Sequence, residues 1–324
     1  MKKVLITGAG GFIGSHLAER CADLGYETKA MIRYNSANRW GWLEGSSYFK
    51  QIEVVSGDIR DFDSVVGAMK GCRTVFHLAA LIGIPYSYLS PLAYIKTNIE
   101  GTYNVLQAGR ELGVESVVVT STSETYGTAQ YVPINEAHPL VGQSPYSATK
   151  IGADHLAMSY YRSFGLPVRI VRPFNVYGPR QSTRAVIPTI ISQMLGDPPK
   201  LSLGNLSPTR DYTYVEDTVE GFVEIERSPD TVGDVLNVGT GMEISIGALV
   251  EKIALMMGVQ PDTRTDPVRQ RPDASEVERL VCDNTKIRTR TGWRPKWDLD
   301  RGLVQTIEWI RSHARDLKPS VYGI

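Results

Sequence analysis

Val4-Leu5-Ile6-Thr7-Gly8-Ala9-Gly10-Gly11-Phe12-Ile13-Gly14, close to the start of a 324-residue chain, is the stretch that decides the fold. Its apolar run ends in Thr7-Gly8 and reads as a short buried strand. Phe12, Ile13, Leu17 and Cys21 then recur at roughly helical spacing up to Gly25. Between strand and helix lie glycines in the order GxxGxxG, a departure from the commoner GxGxxG. Gly8 permits the tight turn, Gly11 lets a pyrophosphate approach the backbone, and Gly14 lets the helix pack on the strand. The helix start offers free N–H groups and a positive dipole end to phosphates. A merely structural turn is the alternative. The position between a strand and an amphipathic helix favours a dinucleotide loop, with Gly8, Gly11, Phe12, Ile13 and Gly14 as cofactor-binding residues.

Beyond this loop, residues 28–32, 52–55 and 74–78 suggest three more strands. Residues 95–112 are helical in pattern, and Gly113 is a stop. Ser116–Thr120 is an almost unbroken β-branched run, typical of a strand covered on both faces. Ser144 caps a helix that has Pro145 at its first position and runs to about Phe164. Residues 168–171 form another strand. Alternating strands and helices predict an α/β, Rossmann-like, doubly wound parallel sheet. After Arg172 proline and glycine become frequent, which suggests a smaller, loop-rich lobe. The expected domains are a dinucleotide-binding domain over 1–172, rejoined by the chain near 212–240, and a C-terminal substrate-binding lobe over 173–324.

Thirty-five basic side chains balance thirty-five acidic ones, so nothing in the net charge points to nucleic acid or an anionic membrane. Cys21, Cys72 and Cys282 lack metal spacing and read as reduced thiols. The five histidines form no ligand pattern, so no metal is expected. No apolar run approaches the roughly 18 residues of a spanning helix. The run at Val4-Leu5-Ile6 is too short for a signal-peptide core, so a cytoplasmic location is expected.

The end of the second strand reads Met31-Ile32-Arg33-Tyr34-Asn35-Ser36. NAD calls for a carboxylate here on the ribose 2′-hydroxyl, and a 2′-phosphate calls for a cation. Arg33, with Asn35 and Ser36, therefore points to NADP, with NAD as the alternative; Arg33 on the adenine or in solvent is the plainer reading. Asp58 and Ile59, after the third strand, are candidates for the adenine edge.

Tyr146 and Lys150 lie four apart on the helix capped by Ser144, hence on one face. A free phenol, with a pKa of about 10, is a poor base at neutral pH. A neighbouring ammonium favours the phenolate. The pair alone is common on helix surfaces. Ser121-Thr122-Ser123-Glu124-Thr125-Tyr126-Gly127 follows directly on Ser116–Thr120, and ligands of open parallel sheets bind at strand carboxyl ends. Thr122 and Glu124 would then enter the cleft of Tyr146.

Together these residues resemble the extended short-chain dehydrogenase/reductases that act on nucleotide sugars. The resemblance spans essentially the whole chain. It takes in the glycine loop, His77-Leu78-Ala79-Ala80, Asn98, the Tyr146/Lys150 pair and Arg172-Pro173-Phe174-Asn175-Val176-Tyr177-Gly178-Pro179. It implies that Leu78, Ala79, Ala80 and Asn98 contact the cofactor, as do Tyr146 and Lys150. It implies substrate contacts at Thr122, Asn175, Arg184, Arg210 and Arg271, and a run over 269–280 that closes on the nucleotide. Epimerases of this family generally have small residues where this chain has Ser123-Glu124, whereas 4,6-dehydratases carry Thr-(Asp or Ser)-Glu. The form here is like that of GDP-mannose dehydratases. Residues 144–181 with Arg184-Ala185-Val186-Ile187-Pro188 are most similar to the dehydratases of legionaminic acid biosynthesis, which act on nucleotide-activated N-acetylglucosamine.

The implied activity is dehydration of UDP- or GDP-N-acetylglucosamine to a 4-keto-6-deoxy sugar nucleotide, with Thr122, Ser123, Glu124, Tyr146 and Lys150 catalytic. Ser123 replaces the aspartate of the dTDP-glucose enzymes, which leaves the acid at C6 open. A UDP-glucuronate decarboxylase, which also carries Thr-Ser-Glu, a 4-epimerase and a cofactor-binding sensor without turnover are the rival readings. Family members commonly dimerise through the Tyr146 helix, where Ala153, Leu156, Ala157 and Tyr160 would suit a contact between copies.

Overall fold

A computed structural model describes residues 2–314, so residues 315–324 of the expected second lobe lie outside it. β1 (Lys3–Thr7) runs into the glycine loop and α1 (Phe12–Asp23). Leu17, Ala18 and Cys21 bury one face of α1, and Gly11 caps it without a side chain. β2 (Glu27–Ile32), β3 (Ile52–Ser56), α2 (Phe62–Met69) and β4 (Thr74–His77) follow. The sequence pattern missed α2, whose start is capped by the Asp61 carboxylate accepting from Ser64 N at 2.9 Å.

The helical pattern of 95–112 holds, with an irregularity. Short helices α3 (Ile84–Leu89) and α4 (Pro91–Tyr94) lead into a π-helical stretch, Ile95–Glu100, before α5 (Gly101–Leu112). β5 (Ser116–Thr120) is buried over its first four residues, as its composition predicts. α6 (Pro145–Phe164) begins with a capping box in which Ser144 and Ser147 satisfy each other's backbone N–H. β6 (Val168–Pro173) follows, entirely buried.

Past Pro173 the elements shorten. β7 (Asn175–Tyr177), α7 (Val186–Met194), β8 (Lys200–Leu203), β9 (Thr209–Arg210) and β10 (Tyr212–Tyr214) lead to α8 (Val215–Arg227) and β11 (Val235–Val238). β12 (Ile244–Ser245), α9 (Ile246–Met257), β13 (Asp262–Thr265), β14 (Arg279–Leu280), α10 (Thr285–Thr291) and α11 (Leu299–Ser312) complete the described chain.

The main sheet is parallel, in the order β11-β6-β5-β4-β1-β2-β3. The chain winds outward from β1 to β3, then restarts at β4 on the other side of β1. That reversal makes a crevice at the carboxyl ends of β1 and β4, the place where such sheets bind ligands. β11 pairs with β6, so residues from beyond 212 do return to the sheet. Three small sheets, β10-β7, β12-β9-β14 and β13-β8, stand beyond it.

The α6 stripe expected at a contact between copies is in part committed within the chain. Ala153, Ala157 and Tyr160 are buried within their own chain, and the Tyr160 hydroxyl donates to Gln107 of α5 at 2.8 Å. Leu156, the fourth residue of that stripe, is only half-buried, and His155, Ser159 and Arg162 of α6 remain exposed beside it. The exposed apolar side chains nearby are Leu89, Leu92, Ile95 and Tyr103. Among the described residues no helix is long and apolar enough to cross a membrane, and no cluster of three or more His, Cys, Asp or Glu is placed to hold a metal.

Candidate active site

A cleft of about 1450 Å³ opens at the crevice between β1 and β4. At one end is the glycine loop. Gly8 has φ +72°, and a Cβ there would lie 2.8 Å from Ala79 N. A Cβ on Gly14 would lie 2.3 Å from Gly8 O, and one on Gly11 3.3 Å from it. No side chain fits at Gly8 or Gly14 without moving backbone, Gly11 is tight, and the N-terminus of α1, capped by no side chain, faces the cleft. These residues fit a dinucleotide pyrophosphate. Phe12 and Ile13 line the cleft beside them.

The end of β2 contributes Arg33 and Asn35, whereas Ser36 stands outside the cleft lining. Asn35 is occupied by its own loop: its amide donates to Arg39 O at 2.6 Å and accepts from Arg39 N at 3.0 Å. Asp58 and Ile59 line the same end, and the Arg60 guanidinium holds the Asp58 carboxyl below its ordinary range. Leu78, Ala79 and Ala80 form the opposite wall, with the Leu78 and Ala79 N–H groups both donating to Thr7 Oγ1 at 3.1 Å. Asn98 departs from the reading. It is buried outside the lining, donates to Leu81 O at 3.0 Å and Thr149 Oγ1 at 3.1 Å, and accepts from Leu81 N at 2.9 Å. The π-helical turn aims it into the joint between the β4 loop and α6. It braces the wall and does not face the cleft.

Tyr146 and Lys150 meet the turn after β5 deeper in. Thr122, Ser123, Glu124, Tyr146 and Lys150 all line the cleft. Thr122 caps the 3-10 turn Ser123–Tyr126, its Oγ1 accepting from Glu124 N at 3.2 Å. Burial pushes the Tyr146 phenol well above its ordinary range. Its hydrogen bond with Thr122 opposes this, and Glu124 adds to it. Burial brings the Lys150 ammonium down to about 8, against an opposing pull from Asp154. That ammonium donates to the Thr120 carbonyl at the end of β5. Burial thus dominates the phenol, although the spacing places an ammonium that favours the phenolate one turn away.

The far end of the cleft is basic. Arg210, buried, donates to Thr209 O at 2.9 Å and lies 3.5 Å from Glu276. Arg271 Nη1 lies 3.6 Å from Glu124 and 3.9 Å from Glu276, is buried, and makes no hydrogen bond. Asn175 Oδ1 and the Tyr212 hydroxyl are likewise buried and unpartnered, on residues that line the cleft. Arg184 lines it while remaining exposed. Unpartnered donors and acceptors around a guanidinium suit a polar, anionic ligand.

Tyr94, whose ring meets Tyr146 edge-on at 6.3 Å, and Tyr212 belong to no motif singled out in the sequence, and Glu276 entered only as part of the run 269–280. These arrive on short elements without periodic pattern.

A family model described as GDP-mannose 4,6 dehydratase matches residues 5–306. Curated relatives include the dTDP-glucose 4,6-dehydratase of Streptomyces antibioticus, 33% identical over 96% of this chain and 92% of that protein. The UDP-glucose 4-epimerase of Mycolicibacterium smegmatis is 34% identical over 97% and 100%. A trifunctional UDP-glucose 4,6-dehydratase/3,5-epimerase/reductase of Arabidopsis thaliana is 33% identical, and the chain spans only 47% of its length. Among solved structures, the dTDP-glucose 4,6-dehydratase DesIV of Streptomyces venezuelae, with NAD bound, superposes with a TM-score of 0.87 at 28% identity over 98% and 99% of the two chains. The UDP-glucuronic acid 4-epimerase of Bacillus cereus, also with NAD, gives 0.88 at 27% over 96% and 99%. A family match over nearly the whole length, on the same Rossmann-like sheet as these neighbours, settles the affiliation: the chain belongs to the GDP-mannose 4,6 dehydratase family of extended short-chain dehydrogenase/reductases.

Proposed function

We propose that the chain is a nucleotide-sugar 4,6-dehydratase. The observation that carries this is Glu124: a carboxylate at the end of a Thr-Ser-Glu turn, lining the same cleft as Tyr146 and Lys150. Tyr146 takes the proton of the sugar C4 hydroxyl. Thr122 and Tyr146 then hydrogen-bond the C4 carbonyl oxygen, which acidifies C5. Glu124 takes the C5 proton and returns a proton to the hydroxyl leaving C6 as water, with Ser123 beside it. A bound nicotinamide dinucleotide would supply hydride acceptance at C4 and hydride return to C6, ending the cycle oxidised; C5 regains a proton as C6 receives the hydride, which balances the proton Tyr146 took from the C4 hydroxyl. Asn175, Arg184, Arg210 and Arg271 hold the substrate, with the Arg271 guanidinium, whose Nη1 makes no hydrogen bond and only long ion pairs to Glu124 and Glu276, on its diphosphate.

The substrate we propose is UDP- or GDP-N-acetylglucosamine. Leu81, Ile84 and Tyr88 pack with Tyr94 and Tyr146, so apolar surface suited to an acetamido methyl adjoins the reacting end. For the cofactor, Arg33 and the absence of a carboxylate at 33–36 favour NADP, whereas the NAD-bound relatives favour NAD. The dinucleotide released by denaturing the purified protein decides between them. The same proposal includes a dinucleotide-binding domain over 1–172 with the return near 212–240, a nucleotide-sugar lobe in the rest of 173–324, and a cytoplasmic home consistent with three free, buried cysteines.

Epimerases among the relatives favour a second reading, 4-epimerisation. That chemistry needs no base at C5 and leaves Glu124 without a task. Replacing Glu124 by Gln separates the two. Dehydration is expected to fall by roughly 100-fold or more while oxidation at C4, read as cofactor reduction, persists. Water loss at the wild-type rate would overturn the assignment.

A further inference from the structure

Behind the cleft lies a buried ion pair that the proposed chemistry does not use. Asp154 sits one helical turn beyond Lys150 and two beyond Tyr146 on α6. Its Oδ2 accepts from Ser121 Oγ at 2.7 Å and from Arg172 Nε and Nη2 at 3.1 and 2.9 Å. Arg172, from β6, donates from Nη1 to the Tyr126 hydroxyl at 3.1 Å, and its guanidinium lies 4.9 Å from the Tyr126 ring centroid. The Tyr126 hydroxyl donates onward to Asn237 Oδ1 of β11 at 2.7 Å. All five residues are buried.

The placement matters more than the pairing. Ser121 precedes the Thr122-Ser123-Glu124 triplet, and Tyr126 ends the turn that carries it. One ion pair thus grips both ends of that turn, while its carboxylate rides on the helix of Tyr146 and Lys150. Buried ion pairs are weak stabilisers, and apolar residues of similar size often serve as well. What such a pair does provide is fixed direction, since a guanidinium fork accepts few arrangements. Asp154 Oδ1, buried and unpartnered, leaves part of the carboxylate charge uncompensated in a low-dielectric interior.

We propose that the Asp154–Arg172 pair is a positioning device that locks the Thr122-Ser123-Glu124 turn in register with the Tyr146/Lys150 helix. Its charge has a second effect. The groups facing Lys150 are Tyr146 and Asp154 on its own helix, the Thr120 carbonyl on β5, and His77 on β4, which burial keeps neutral; Arg172 stands behind Asp154. Asp154 is therefore the one anion acting on the ammonium among these groups.

The device rests on the dehydratase reading only for the step it serves, so its test has two arms. In the first, Asp154→Asn in the full chain is assayed on whichever sugar nucleotide the wild type converts. We expect kcat to fall roughly 10- to 100-fold with KM within about threefold. We also expect the alkaline limb of kcat to move down by about one pH unit, because the ammonium has lost its anion. Ser121→Ala and Tyr126→Phe each remove one grip and keep the charge. They should lower kcat about three- to tenfold and leave that limb in place. These milder variants carry the test if Asp154→Asn does not fold. The second arm needs no substrate: pH-dependent acetic anhydride labelling of Lys150, read by mass spectrometry, should show the same downward shift in Asp154→Asn. A wild type that dehydrates nothing would sink the functional reading and leave this arm intact. Wild-type kcat in Ser121→Ala and Tyr126→Phe would overturn the positioning role. A lower melting temperature in Asp154→Asn with an unmoved limb and unmoved labelling would do so too.

Discussion

Tyr146 shows what burial does to a catalytic side chain. The phenol is pushed up and the neighbouring Lys150 ammonium is brought down to about 8, so both charged forms are disfavoured in the same pocket. The signs set a pH window. Lys150 is cationic below about 8 and loses its charge as pH rises through that value, removing the charge that favours the phenolate. We therefore expect kcat to decline on the alkaline side of about pH 8, approaching tenfold per unit, in a rapid-quench pH series. A rate still rising at pH 9.5 would contradict this. Tyr146, Lys150, Thr122 and Glu124 were legible in the sequence because two local rules place them: four residues make a helical turn, and a buried parallel strand ends at the ligand. Arg271 beside Glu124, and Asp154 with Arg172, were not. Their partners are 147 and 18 residues away in the chain, and no spacing rule relates them.

At the scale of elements the glycine loop is the most constrained piece. Gly14 faces the backbone oxygen of Gly8 so closely that even a methyl must displace the loop or the helix. Gly14→Ala is expected to weaken dinucleotide binding at least about tenfold, through lost approach of the N–H groups rather than lost charge. Calorimetric titration with the dinucleotide reads it directly, and unchanged affinity would remove the loop from the cofactor site. The π-helical turn at Ile95–Glu100 teaches the opposite lesson. Its apolar pattern reads as ordinary helix, yet one residue of extra winding turns Asn98 into the joint beneath the wall. A period-based reading assumes constant winding and misses such turns.

Across the whole molecule the alternating half was readable and the lobe was not. Strands of five or so β-branched residues announce themselves. β9, β12 and β14 have two residues each and exist only because the three of them pair. The oligomer is a related case. With Ala153, Ala157 and Tyr160 committed internally, a homodimer remains our proposal, now placed on the exposed Leu89, Leu92, Ile95 and Tyr103. Light scattering at micromolar concentration should give a dimer that Leu92→Glu converts to monomer; a monomeric wild type would end that proposal.

On the proposed function, this molecule removes water from a sugar nucleotide. Purified protein incubated separately with UDP- and GDP-N-acetylglucosamine, followed by mass spectrometry of the nucleotide pool, reads that loss of water out. A product lighter by one water is expected from one of the two, with no net consumption of dinucleotide. A product of unchanged mass, with inverted configuration at C4, would contradict it and leave an epimerase.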